Sequence, residues 1–232
     1  MGGGGFSAME DPRQPSAIDD FILERARARR GRDRPSVCFI PTASGDSAGY
    51  LERFHAAFDD RADAQHLTLF DRQVDDIDAF LLDQDVIYVG GGNTASMLAV
   101  WQAHGVDAVL RRAHDAGVVL AGTSAGALCW FESGTTDSYG TRLAAVHGGL
   151  GYVAGSLSPH YDGEVERRPT FHRLIADGSL PDGLAADDGA ALILDGPDLV
   201  ESVVERDGAG TYRVELVDGE VVETALPVRR LP

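Results

Sequence analysis

A serine flanked two residues away on each side by glycine, in Gly122-Thr123-Ser124-Ala125-Gly126, is the part of this chain best suited to chemistry. The apolar run Val118-Val119-Leu120-Ala121 leads into it and Ala127-Leu128 follow, so the pattern predicts a strand that turns sharply into a helix with the hydroxyl at the apex. Such a turn is crowded, and the glycines and small alanines leave the space it needs. A serine hydroxyl is a poor nucleophile at neutral pH. It needs an imidazole within hydrogen-bond reach, itself oriented by a carboxylate. A strand-to-helix turn without chemistry can read the same way, so the partners decide.

Seven histidines compete for the role of base. His55, His104 and His114 fall on helical stretches between apolar residues, His66 in an edge-like strand, His147 in a Gly-rich turn and His172 in a helix-like stretch after Pro169. All of these positions suit a surface or boundary histidine. His160 differs, because it follows Gly155-Ser156-Leu157-Ser158-Pro159 on a loop at the end of a strand-like run, where a sheet scaffold delivers catalytic side chains. The acids between Ser124 and His160 are Glu132 and Asp137. Glu132 falls in or just beyond the helix after the serine. Asp137, in Gly134-Thr135-Thr136-Asp137-Ser138, lies on a polar loop able to curl back toward an imidazole.

The elements that must position these residues alternate. Strand patterns at Ser36 to Ile40, Gln65 to Phe70 and Asp85 to Val89 are interleaved with helical patterns carrying Leu51, Phe54 and Phe58, then Ile77, Phe80 and Leu81. Two further helices carry Met97, Leu98 and Trp101, and Val106, Val109, Leu110 and Ala113, before the strand that feeds Ser124. This order implies an α/β fold with a mainly parallel sheet covered by helices on both faces. After about Ala190 the runs Ala191 to Leu194, Leu199 to Val204 and Tyr212 to Val217, with Asp-Gly turns at 207 and 218, read as C-terminal edge strands and hairpins closing the same single domain, 1–232.

The chain holds 37 acidic and 20 basic residues, the latter all arginine, for a net charge of −17. That balance repels polyanions and excludes a phosphate-backbone binder. Acidic pairs such as Asp59-Asp60 and Asp187-Asp188 read as solvated surface. Cys38 and Cys129 lie in apolar surroundings, as buried free thiols do, and not at metal-ligand spacing. No apolar run is long enough to span a bilayer and the N-terminus lacks a secretory pattern, so a cytoplasmic protein with no membrane partner is expected. Met1-Gly2-Gly3-Gly4-Gly5-Phe6-Ser7 reads like the turn after a first strand that is absent before Gly2, and this reading is preferred to a flexible tail. Ser16, with Asp19 three residues on, predicts the start of the first helix.

Four motifs in order, Phe39-Ile40-Pro41-Thr42-Ala43-Ser44, Tyr88-Val89-Gly90-Gly91-Gly92-Asn93-Thr94, the serine turn, and Ser158-Pro159-His160-Tyr161-Asp162, resemble the peptidase E family, the α-aspartyl dipeptidases that also include cyanophycinase. The resemblance runs from the Gly-rich start to about Asp188. It implies a fold similar to class I glutamine amidotransferases and a triad of Ser124 as nucleophile, His160 as base and Asp137 as orienting acid. It also implies an oxyanion hole built from the Ala125 amide and that of Gly91 or Gly92. An aspartyl substrate needs a cation, and the guanidinium of Arg167 or Arg168 suits a carboxylate, although both could equally pair with the neighbouring glutamates. Asn93 and Tyr161, beside the turn and the base, are further substrate-binding candidates. The implied activity is hydrolysis of small peptides after an N-terminal aspartate, through an acyl-enzyme, without metal or cofactor, and a homodimer is an open expectation. A β-aspartyl-arginine hydrolase and a binding protein with a decayed triad are the rivals.

Overall fold

The structure, a computed structural model, describes residues 1–14 and 16–232. Helix α1 (Ala17–Arg30) starts where Ser16 Oγ accepts the Asp19 N–H and stops at Gly31 in the left-handed conformation, the two signals its sequence carries. Strand β1 (Ser36–Ile40) is followed by α2 (Ala48–Phe58), β2 (Asp63–His66), α3 (Ile77–Leu82), β3 (Val86–Val89), α4 (Thr94–His104), α5 (Val106–Asp115) and β4 (Val119–Gly122). These strands form a wholly parallel sheet in the order β2-β1-β3-β4. Strand β1 is an unbroken apolar run because both faces are covered. Val37 and Phe39 pack with α1 and α2, and Cys38 and Ile40 with α3, α4 and α5. Both cysteines are buried free thiols.

A short helix α6 (Ala125–Leu128) leads into β5 (Phe131–Thr136), β6 (Ala144–His147), β7 (Val153–Ser158), α7 (Arg167–Ala176) and β8 (Gly183–Ala186). Strands β9 (Ala190–Asp195), β10 (Asp198–Val204), β11 (Thr211–Val217), β12 (Glu220–Ala225) and β13 (Arg229–Arg230) complete the chain. The expected α/β fold, with a parallel sheet covered by helices on both faces and C-terminal edge strands and hairpins, is the one observed. The second half adds strands of both directions. A six-stranded mixed sheet, β12-β11-β8-β7-β5-β6, is parallel at β5–β7 and β7–β8 and antiparallel elsewhere, and β13-β10-β9 forms a third sheet.

The Gly-rich start lies between these sheets. The Met1 ammonium donates to Gly122 O at 3.0 Å and Ser124 N–H donates to Met1 O at 3.2 Å. Gly2 N–H donates to Ala190 O, Gly189 N–H to Gly3 O, and Gly3 pairs with Asp188. Residues 2–5 are buried, and Phe6 sits among the rings of Phe39, Tyr50, Phe54, Phe58 and Tyr88 at centroid distances of 5.4–5.8 Å. The glycines are an interior spacer: a Cβ on Gly2 would fall 2.2 Å from Ala186 O, and one on Gly5 2.6 Å from Tyr88 Oη.

Candidate active site

Ser124 stands where β4 gives way to α6, at φ 54° and ψ −117°, a conformation rarely adopted by a residue with a side chain. The turn is tight enough that a Cβ on Gly122 would fall 2.0 Å from Gly126 O, and one on Gly126 would fall 2.2 Å from Val89 O. Both glycines are therefore obligatory, and together they hold a half-buried hydroxyl at the C-terminal end of the parallel sheet. The loop after β3 meets it there: a Cβ on Gly91 would lie 3.3 Å from Ser124 Cβ and 3.8 Å from its Oγ.

The Ala125 N–H belongs to the first turn of α6, where no intrahelical acceptor exists, and so remains a donor for an oxygen bound at Ser124. Gly91 N–H donates to Tyr50 Oη at 3.3 Å, a bond that a substrate oxygen would have to displace. Gly92 is packed on the carbonyl of Ala43, which anchors the loop.

His160 follows β7 by two residues, also with positive φ, and its Nδ1 is 2.7 Å from Asp188 Oδ1. The carboxylate that meets His160 is thus Asp188, not Asp137. Asp137 is exposed at the end of β5, and its carbonyl accepts the Gly140 N–H. The physical reason lies in strand order. Strand β8 is the parallel neighbour of β7, so the turn after β8 arrives beside the loop after β7, and Tyr161 N–H donates to Ala186 O across that junction. The main chain of Asp188 is clamped on both sides: its N–H donates to Asp162 Oδ1 at 2.9 Å and its carbonyl accepts Arg206 Nε at 2.9 Å. Arg206 also pairs with Asp162.

The bond to His160, helped by the charges of Arg206 and Arg167 and opposed by partial burial, holds the Asp188 carboxyl below the usual carboxylate range. An ionised Asp188 fixes the Nδ1–H tautomer, which leaves Nε2 of the neutral ring as an acceptor. The serine turn and the His160–Asp188 pair are joined by Met1–Gly3. Met1 O accepts the Ser124 N–H, and a Cβ on Gly3 would come within 2.8 Å of His160 Cε1 and 2.3 Å of Asp188 Oδ1. The sequence alone treated Asp187-Asp188 as surface charge. Its position before Gly189, at the end of a strand-like Gly183–Ala186, was the signal that could have found it.

The proposed substrate-binding side chains have intramolecular partners. Buried Arg167 donates to Glu164 at 2.8 Å and to Thr135 O at 3.1 Å. Arg168 lies over the rings of Tyr161 and Tyr212 and pairs with Glu223 at 3.2 Å. The hydroxyl of buried Tyr161 donates to Glu223 and meets His172. Asn93 caps α4 by accepting the Ser96 N–H and donates to Ser138 O. Arg167 pairs with the neighbouring Glu164, as the ion-pair alternative held, but it does so as a buried side chain and not on the surface. Among the described residues no cluster of three or more His, Cys, Asp or Glu could hold a metal ion.

The model of peptidase family S51 matches residues 2–201. The chain is 47% identical over 232 residues, spanning all of this chain and 97% of the other, to the "Uncharacterized peptidase YgaJ" of Bacillus subtilis (strain 168). A crystal structure of a peptidase from an acI-B1 Actinobacterium is similar with a TM-score of 0.70, at 18% identity, over 98% of this chain and 92% of that one. A putative peptidase E protein from Listeria monocytogenes EGD-e is similar with a TM-score of 0.52, at 18% identity, over 88% and 93%. The two structures establish a shared peptidase fold, and the family match with the Bacillus relative establishes kinship. The chain belongs to peptidase family S51, the peptidase E family of serine peptidases.

Proposed function

We propose that this peptidase cleaves small peptides after an N-terminal aspartate through an acyl-enzyme, with Ser124 as nucleophile, His160 as base and Asp188 as the acid that orients the base. The observation that carries the reading is the pairing of an elbow serine with a carboxylate-bound histidine at the same end of the fold, tied together by Met1–Gly3. Ser124 Oγ attacks the carbonyl carbon of the first residue as its proton passes to His160 Nε2. The amides of Ala125 and Gly91 take the oxyanion. His160 then returns the proton to the leaving amine, and a water, deprotonated by the same imidazole, hydrolyses the ester.

The aspartyl preference rests on family membership, since Arg167 and Arg168 are engaged within the protein. A cytoplasmic role in turnover of small peptides fits this reading, and no helix among the described residues is long and apolar enough to cross a membrane. A panel of Asp-X, Asn-X, Glu-X, Ala-X and β-Asp-Arg peptides tests it. Asp-X should be hydrolysed fastest, with Asn-X slower by at least about tenfold, the scale of one charge-assisted contact. Equal rates on Asp-X and Ala-X would remove the aspartyl preference, and preference for β-Asp-Arg would replace it.

A further inference from the structure

Glu223 is the odd member of its strand face. In the β11–β12 hairpin, Tyr212, Val214 and Val221 pack with Tyr161 and α7, and the pairing of Val214 with Glu223 sets a carboxylate on that same face. A partly buried acid there gives no more stability than an apolar residue of its size would, so its partners must account for it. Three groups converge on it: the Tyr161 hydroxyl at 2.6 Å, His172 Nε2 at 2.9 Å and Arg168 Nη1 at 3.2 Å. Tyr161 is the residue after His160. It is buried, so its hydroxyl depends on a partner within the protein.

The other strand of the hairpin reaches the residue before Asp188. Buried Asp187 donates its N–H to Gly210 O at 3.0 Å, and its Oδ2 accepts the Gly210 N–H at 2.8 Å and the Tyr212 hydroxyl at 3.2 Å. Arg168 joins the two halves. Its guanidinium lies 4.6 Å from the centroid of the Tyr161 ring and 4.7 Å from that of Tyr212, and the two rings are 5.3 Å apart. A planar cation that meets two rings and a carboxylate together holds all three in one arrangement.

We propose that the β11–β12 hairpin is a clamp on the His160–Asp188 pair, with Glu223 and Tyr212 as positioning residues. Glu223 holds the loop of the base through Tyr161, and Tyr212 holds the turn of the acid through Asp187. This role rests on the reading of His160 and Asp188 as base and orienting acid. Their 2.7 Å bond joins two loops that leave neighbouring strands, so its length and direction depend on how firmly both backbones are held. Arg206 and Asp162 fix the main chain of Asp188 itself. The hairpin ties the residues flanking the pair to the sheet, because β11 is also the antiparallel neighbour of β8.

The test uses the whole protein and three variants. Glu223→Leu removes the acceptor and keeps an apolar fit, Tyr212→Phe removes only the hydroxyl on Asp187, and Glu223→Gln keeps an acceptor for Tyr161. Steady-state kinetics on Asp-X, Tm, and solvent exchange of the His160 ring N–H by NMR are measured on each. Glu223→Leu should lower kcat by about tenfold and Tyr212→Phe by about threefold, with KM within about twofold and Tm within about 3 °C of the parent protein. The His160 ring N–H should exchange at least about tenfold faster in both, and Glu223→Gln should recover most of the parent kcat. Ring exchange at the parent rate in both variants would overturn the clamp. So would an unchanged kcat in Glu223→Leu while Asp188→Asn lowers it, or a Glu223→Gln protein as impaired as Glu223→Leu. Should Glu223→Leu not fold, Tyr212→Phe decides by the same kcat and exchange measurements. Faster ring exchange in a protein whose kcat Asp188→Asn leaves unchanged would uphold the clamp and refute the catalytic role of the pair.

Discussion

At the scale of single residues, the proposed mechanism separates groups that look alike in the sequence. Ser124→Ala should lower kcat/KM by roughly 10³- to 10⁶-fold with little change in Tm, because it removes the nucleophile and keeps the turn. Retention of a tenth of the activity would sink the elbow argument. The two aspartates make a sharper comparison. Asp188→Asn should lower kcat by about 10²- to 10⁴-fold, since an amide facing His160 Nδ1 no longer selects the donor tautomer there. Asp137→Asn should stay within a few-fold of the parent protein, given its exposed position at the end of β5. Steady-state kinetics on both variants with one Asp-X substrate settles the choice, and a larger loss at Asp137 would restore it as the acid.

At the scale of elements, the turn after β8 is held by groups that do not touch the substrate. Arg206 and Asp162 are positioning residues: they bond the carbonyl and the N–H of Asp188, so its carboxylate can point only where those bonds allow. Arg206→Ala should therefore lower kcat by about tenfold or more with KM nearly unchanged, a split that loosened orientation produces and a damaged binding site does not. An equal change in both parameters would assign Arg206 to the surface. The elbow makes the opposite kind of demand. Gly122→Ala places a methyl 2.0 Å from Gly126 O and should cost about 3 kcal/mol or more of stability, read as a loss of folded protein in urea titration. Phe6 anchors the glycine segment within its ring cluster, so Phe6→Ala, at about 3–5 kcal/mol, should loosen the Gly3 contact with His160 as well as the core.

At the scale of the whole molecule, two buried groups give stability opposing pH dependences. Burial and the neighbouring charge of Glu205 push Asp19 up to about 7. Between about pH 4 and 7 the folded chain therefore binds the extra proton, and stability falls as pH rises through that window, by up to roughly 4 kcal/mol. The Met1 ammonium, pushed down to about 5, works the other way: the unfolded chain binds the extra proton between about pH 5 and 8, and stability rises with pH. Across pH 5 to 7 the two offset each other. In Asp19→Asn only the Met1 contribution remains, so the variant should gain on the parent protein steadily from pH 4.5 to 7.5 in urea unfolding. A stability difference that does not change with pH would show that Asp19 keeps its ordinary pKa in the fold.

Much of this was written in local pattern. The α1 cap at Ser16, the apolar run of β1, the crowded glycines around Ser124, the loop position of His160 and the Asp218-Gly219 hairpin all follow from interactions within a few residues, and those are what spacing and side-chain type encode. Family membership was legible too, because four motifs kept their order. What local pattern could not reach were pairings across the fold. Asp188 meets His160 because β8 lies beside β7, whereas a search confined to acids between serine and histidine led to Asp137. Arg167 is occupied because the start of α7 sets it against Glu164 of the preceding loop and the Thr135 carbonyl of β5. The described residues form three sheets, with Met1–Gly3 between them, because hydrogen-bond partners are assigned by which strand edges come together in space. Residue types and spacing therefore determined which groups could react, while only the tertiary structure decided which of them meet, since a carboxylate orients an imidazole by distance and direction and not by its place in the chain.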